Sequence, residues 1–166
     1  MITETAKNLS SNGHIEQSIN TGKKGEENFR LACKLNNLQC VEATDKENIR
    51  HVDFYVLGLG VDVKGYKNAH KEGFIIVEFR NVNGYAGSCS EKSNADLLAF
   101  QFEDYFLIVR KDELLNYCRK EVKNEYVAEF KECYKKLYTR KNRKDLMTKL
   151  HVSDLKTFNF IWKLKF

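Results

Sequence analysis

No apolar run in this sequence approaches the roughly 18 residues that a membrane-spanning helix needs. The first twenty residues, MITETAKNLSSNGHIEQSIN, hold neither a positive n-region nor an apolar h-region. They therefore do not read as a secretory signal; they read as a polar arm, residues 1–20, of the kind that a partner orders. The five cysteines (Cys33, Cys40, Cys89, Cys118, Cys133) are odd in number and include no C-x-x-C. That argues against a disulfide framework or a cysteine zinc site and fits reduced thiols in a cytoplasmic protein. His14, His51, His70 and His151 are scattered without ligand spacing, so histidine-centred metal chemistry is not expected. No G-x-G-x-x-G follows the "GLG" at residues 58–60, and these glycines suit a hairpin turn better than a phosphate cradle. Ser88 and Cys89 in "GSCSE" have no histidine at a suggestive position, which leaves neither with the base a nucleophile needs. Proline is missing altogether, against an average near 5%, and the sequence offers no physical reason for it.

What is present describes a folded chain. At 166 residues, 42% of them hydrophobic and 12% aromatic, there is enough material for one domain with a substantial core. The formal charge is +5, and its distribution says more than its size. Arg119 to Lys149 holds eleven Lys or Arg against five acids, so all of the positive excess lies there. Its densest part is "LYTRKNRKDLMTK", with Arg140, Lys141, Arg143 and Lys144 close together. Such a cluster would neutralise phosphates and bind nucleic acid in a salt-dependent way, or it would be a solvated helix face.

Periodicity sets out the elements. "GEENFRLACKLNNL" is helical in pattern, and "LQCVEAT" is a short strand. "HVDFYVLG" and "GVDVKGYK" alternate as two strands joined by a turn at Gly58–Gly60. "KNAHKEG" is a polar turn, and "FIIVEFRNV" is the most strand-like run in the chain. "SEKSNADLLAFQF" reads as a helix, capped by Ser90 or Ser93, and "YFLIVRK" as a strand buried on both faces. "DELLNYCRKEVKNEYVAEFKECYKKLY" reads as a long helix broken once. "LKTFNFIWKLKF" alternates and would close the sheet as an edge strand, or present Phe158, Phe160, Ile161 and Trp162 to a second copy. The expected fold is α/β or α+β: a mixed central sheet flanked by helices, with a core over 21–111 and a basic helical extension over 112–166 packed on the same domain.

The hairpin carries the chemistry. Asp62 and Lys64 stand at i and i+2 on one strand and share a face, and a tight turn folds them back beside Asp53. Two adjacent carboxylates repel unless a cation sits between them. Mg²⁺, a hard ion bound by one or two carboxylates and substrate phosphate, is the natural occupant. A lysine beside it could orient a water or offset charge on a phosphoryl oxygen.

The run "DFYVLGLGVDVKG" resembles the signature of the PD-(D/E)XK nuclease superfamily: an Asp, about ten residues, then an acid, any residue and Lys on adjacent strands. Its spacing is similar to that of phage and archaeal junction-resolving endonucleases. "VEFRNVNGYAGS" followed by "ADLLAFQF" resembles small phage and viral members of the superfamily. The resemblance covers residues 22–111, and Val52 stands where the signature usually has Pro. It implies a restriction-endonuclease-like fold and a further acid from the first helix, for which "TGKKGEENF" offers Glu26 or its neighbour Glu27. It also leaves a second assignment open, with Asp62 as the first Asp and Glu78-x-Arg80 as the triplet. Asp62-x-Lys64 is preferred because it keeps the lysine.

On this resemblance the chain is expected to be a Mg²⁺-dependent DNA endonuclease, with Mn²⁺ able to substitute. Glu26, Asp53, Asp62 and Lys64 would be catalytic. Asp53, Asp62, the Val63 carbonyl and Glu78 would hold the metal. Arg80, Arg140, Lys141, Arg143 and Lys144 would hold duplex or branched DNA. A homodimer would follow for a resolvase that cuts symmetrically. The alternative is a nucleic-acid-binding protein on the same fold with cleavage weak or lost.

Overall fold

The computed structural model describes residues 4–166, with side chains given for residue 17 and residues 19–166. The chain opens with α1 (Glu4–Leu35) and continues through β1 (Cys40–Glu42), α2 (Asp45–Asn48), β2 (Phe54–Val56), β3 (Leu59–Lys64), α3 (Asn68–Lys71) and β4 (Phe74–Arg80). It then forms β5 (Leu97–Gln101), β6 (Tyr105–Arg110), α4 (Lys111–Glu121), β7 (Tyr126–Val127), β8 (Leu137–Tyr138), β9 (Leu146–His151) and β10 (Ile161–Lys165). Short 3₁₀ segments precede β8 and β10. Among the described residues no helix is long and apolar enough to cross a membrane.

Two mixed sheets result. The larger has the order β1-β2-β3-β5-β6-β10, with β3 and β5 parallel and the other pairs antiparallel. The smaller has the order β4-β9-β8-β7. Phe29, Ala32 and Cys33 recur at helical spacing on α1 and bury one face of the larger sheet at Phe54, Val61, Val63, Phe106 and Ile108. Leu98, Phe100, Leu107 and Val109 on the other face pack against Ile75, Val77 and Leu150 of the smaller sheet and Leu114 and Cys118 of α4. α1 stops where Asn37 turns left-handed (φ 55°). The N–H groups of Leu38 and Asn37 return to the carbonyls of Cys33 and Lys34, a Schellman cap.

Several expectations are met: the strand at Cys40–Glu42, the β2–β3 hairpin, β4, the buried β6 and the edge strand β10. The hairpin turn itself sits on Leu57 and Gly58 rather than on Gly58–Gly60: their positive φ values of 53° and 78° suit a two-residue type I′ turn, and Leu59 and Gly60 already belong to β3.

Others are corrected. The polar arm is helical from Glu4, continuous with α1, and its residues 1–3 lie outside the described residues. "KNAHKEG" contains the one-turn helix α3 rather than a turn alone. "SEKSNADLLAFQF" is not a helix: Leu97–Gln101 is β5, buried at every position between β3 and β6. A short apolar run buried on both faces has no period by which to tell it from a buried helix. The long basic helix ends at Glu121. Beyond it Tyr126 and Val127 pair with Leu137 and Tyr138, and β9 pairs with β4 over six residue pairs. The extension is therefore one helix followed by short strands and loops rather than a helical part, and the single central sheet is two, because β4 joins β9 rather than the hairpin.

Candidate functional site

Strand β2 is too short to satisfy all of β3. The ladder ends at Phe54–Val61, and one residue further the Asp53 N–H donates to the Val61 carbonyl at 2.9 Å. The Asp53 carboxylate then takes the place of a strand carbonyl, accepting from the Val63 N–H at 2.7 Å and from Asn48 Nδ2 at 2.7 Å. Asp53 is thereby fixed at the open end of the hairpin.

Along β3, Val61 and Val63 enter the core under α1, which sends Asp62 and Lys64 to the opposite face beside Leu98 and Phe100. Asp62 is 3% exposed. Lys64 Nζ lies 2.8 Å from Asp62 Oδ1, whereas Asp62 Oδ2 is buried without a hydrogen-bond partner among the described residues. An orphaned, buried carboxylate oxygen costs free energy unless something cationic meets it.

Glu26 arrives through two glycines. A Cβ on Gly25 would lie 2.7 Å from Gly65 Cα, and one on Gly65 would lie 2.5 Å from the Thr21 carbonyl oxygen. Both residues must lack a side chain for α1 to cross the end of β3 so closely. Glu26 is left half-buried on the hairpin side, while Glu27 is exposed. Burial and then Glu42 push the Glu26 carboxyl up, and Asp62 adds to the shift.

The charges respond to one another. Burial, and then the Asp62 charge, push Asp53 up to about 6 against the Val63 hydrogen bond. Burial would raise Asp62 as well, but Lys64 and His51 hold it below the usual carboxylate range. Burial would lower Lys64, yet Asp62, Glu78 and Asp53 hold it above the usual ammonium value. Lys64 is thus firmly cationic.

Glu78 reaches the same lysine from the smaller sheet. Ile75 and Val77 of β4 enter the core. Ile76 and Glu78 line a cavity of about 330 Å³ together with Lys64, Lys67, Tyr138 and Arg140. Glu78 and Arg80 flank a bulge in the β4–β9 pair, and Arg80 is exposed. β4 is not a neighbour of β3 in either sheet, so Glu78-x-Arg80 does not stand on a strand adjacent to Asp62. Val63 lends its N–H to Asp53.

The expected phosphate contacts sit on a loop, not on a helix face. Lys141, Arg143 and Lys144 are exposed between β8 and β9. The stem of Lys144 lies over Gly84, and its N–H donates to the Val82 carbonyl at 3.2 Å, which sets this loop beside the turn that follows Arg80. Arg140 is ion-paired to the fully buried Asp145 and orders the loop from within.

His51 was not legible as a site residue. Its ring is held between Asp62 and the Ala86 carbonyl, and its backbone is left-handed, φ 67°, an uncommon conformation that marks strain near functional sites. The one available signal was its place two residues before Asp53. Gly87 serves the same corner: a Cβ there would lie 2.5 Å from the Glu78 carbonyl oxygen. Cys89 is buried, and burial pushes its thiol up to about 12, which keeps it inert.

Among the described residues no three His, Cys, Asp or Glu side chains form a metal cluster by themselves. The donors nevertheless fit Mg²⁺, which needs only one or two carboxylates and takes its remaining ligands from water and phosphate. Asp62 Oδ2, which accepts no hydrogen bond among the described residues and has His51 Nδ1 3.6 Å away, is the oxygen that would meet it. Comparison with protein families, curated proteins and solved structures yields no match to this chain.

Proposed function

We propose that this chain is a metal-dependent DNA endonuclease of the PD-(D/E)XK type, with Asp53, Asp62 and Lys64 at its centre and Glu26 and Glu78 at its margins. The observation that carries the reading is the buried Asp62 carboxylate, one oxygen on Lys64 and the other without a hydrogen-bond partner among the described residues, beside a second carboxylate already pushed toward neutrality. The placement of Asp53 just before β2, hydrogen-bonded to Val61 of the strand that carries Asp62-x-Lys64, supports it. Mg²⁺, or Mn²⁺ in its place, would relieve the repulsion between the acids and offset charge on the phosphate when bound.

The chain's own groups do the rest. Asp53 and Asp62 hold negative charge at the open end of the hairpin. Lys64, held cationic, donates hydrogen bonds to an attacking water or a phosphoryl oxygen; it does not remove a proton. Glu26 and Glu78 keep the centre anionic from the helix side and the smaller-sheet side. Lys141, Arg143 and Lys144 hold the phosphate backbone without reading bases.

The test is cleavage of supercoiled plasmid and a four-way junction in Mg²⁺, Mn²⁺ and EDTA, by wild type and Lys64→Ala. Metal-dependent cutting that is lost in the variant is expected, and the preferred substrate distinguishes a junction-resolving enzyme from a general endonuclease. Binding that persists in EDTA with no cutting under any condition would instead make the chain a nucleic-acid-binding protein.

A further inference from the structure

The contact between His51 and Asp62 is incomplete in a specific way. His51 Nε2 lies 2.9 Å from the Ala86 carbonyl oxygen. A carbonyl only accepts, so Nε2 carries the hydrogen. Nδ1 then faces Asp62, which favours a positive charge between them. In the free protein a proton on Nδ1 meets that need, since Asp62 holds the imidazole above its ordinary value. A metal ion bound there would take the place of that proton. Nδ1 lies 3.6 Å from Asp62 Oδ2, the same oxygen that has no hydrogen-bond partner among the described residues. Once that proton is gone, two lone pairs face each other across a gap wide enough for a cation, in a corner where Asp62 is almost wholly buried. The ring cannot easily turn away: Ala86 anchors one nitrogen, and Gly87 follows in close contact with the Glu78 backbone.

We propose that His51 Nδ1 and Asp62 Oδ2 are ligands of one divalent cation, and that this imidazole tilts the site from Mg²⁺ toward Mn²⁺ and other transition ions. Bonds of about 2.1 Å to nitrogen and oxygen can span two atoms this far apart. An imidazole is a poor partner for Mg²⁺ and a good one for first-row transition metals, whereas carboxylates serve both. The Nε2–H bond to a backbone carbonyl is the outer contact that fixes the tautomer of a metal-bound histidine. The inference rests on the nuclease reading only in that the reading puts a metal at Asp62.

The test is Mn²⁺ binding to the full chain, followed by loss of the free-ion EPR signal, with pulsed EPR used to detect nitrogen bound to the metal. His51→Ala and His51→Gln are the variants; glutamine keeps an N–H for the Ala86 carbonyl, and circular dichroism reports folding. Wild type should show imidazole nitrogen coupling that both variants lose. Their Mn²⁺ affinity should fall at least about tenfold, the scale at which loss of even an outer partner weakens a site, while Mg²⁺ affinity barely changes. Absence of Mn²⁺ uptake, absence of nitrogen coupling in wild type, or coupling that survives in the variants would overturn the assignment. Coupling without DNA cleavage would keep His51 as a ligand and remove the nuclease, whereas cleavage without coupling would remove His51 alone.

Discussion

Asp53 carries a consequence for stability that can be read without any metal. Its carboxyl titrates near 6 in the fold, against an ordinary value of 3.8, because burial and the Asp62 charge disfavour its ionised form. The native state therefore binds a proton that the unfolded state has already lost. The stability this contributes is complete below about pH 4 and is lost as pH rises through about 6. His70 works in the opposite direction: burial lowers it to about 4 from 6.5, so its contribution is complete above 6.5 and declines as pH falls toward 4. The two partly cancel in wild type, and a variant is needed to separate them. Asp53→Asn keeps an acceptor for the Val63 N–H, and its amide can meet a flipped Asn48. In EDTA it should gain up to about 2 kcal/mol over wild type at pH 7 and lose that advantage at pH 4, as measured by thermal melts across pH. An equal difference at both pH values would show that the Asp53 charge is not strained.

At this scale the three central residues were legible for a simple reason. The i, i+2 rule puts Asp62 and Lys64 on one face, and the alternation announces the hairpin; its register against Asp53 is set by the turn at Leu57 and Gly58, earlier than the Gly58–Gly60 turn the glycines suggest. His51 was not legible because it lies on an irregular, left-handed stretch, and its partner carbonyl comes from Ala86, 35 positions away.

At the scale of elements, the close crossing of α1 over β3 is what brings Glu26 to the hairpin, and two glycines of the same helix test it with opposite signs. Gly22 would meet nothing within 4 Å of an added Cβ. Gly22→Ala should therefore stabilise by about 0.5–1 kcal/mol through helix propensity alone. Gly25→Ala gains the same propensity but drives its Cβ to 2.7 Å from the backbone of Gly65. It should cost about 1–3 kcal/mol net and weaken metal uptake as Glu26 is displaced. Denaturant melts and a metal titration on both variants check this, and equal effects would mean that the crossing is not tight. The hairpin could be read from its alternation and its glycine, but β5 could not: Leu97–Gln101 is buried at every position, and a strand without an exposed face has no period.

The whole molecule brings together what lies far apart in the chain. β4 and β9 pair across some seventy residues, Phe74 with His151 and Glu78 with Met147. No local pattern announces such a pairing: β4 carries a visible apolar run, but β9, LMTKLH, interrupts its apolar residues with Thr148 and Lys149, so the second sheet is not legible in the sequence. One result is that the basic loop between β8 and β9 comes beside Arg80 and the turn that follows it. If this loop holds DNA, replacing Lys141, Arg143 and Lys144 together with alanine should reduce the slope of log affinity against log salt by about 2–3. Folding should be unaffected, since all three are exposed and the Arg140–Asp145 pair that orders the loop is retained. A binding isotherm series from low to high salt measures the slope, and an unchanged slope would place the DNA elsewhere.

The most direct measurement of the central claim is single-turnover cleavage of a DNA substrate by wild type and Asp62→Ala, with both proteins saturated with DNA and supplied with Mn²⁺. A nuclease centred on the hairpin should lose cleavage in the variant while its DNA affinity stays equal or rises, because a buried negative charge has been removed. Cleavage by Asp62→Ala at the wild-type rate would contradict it.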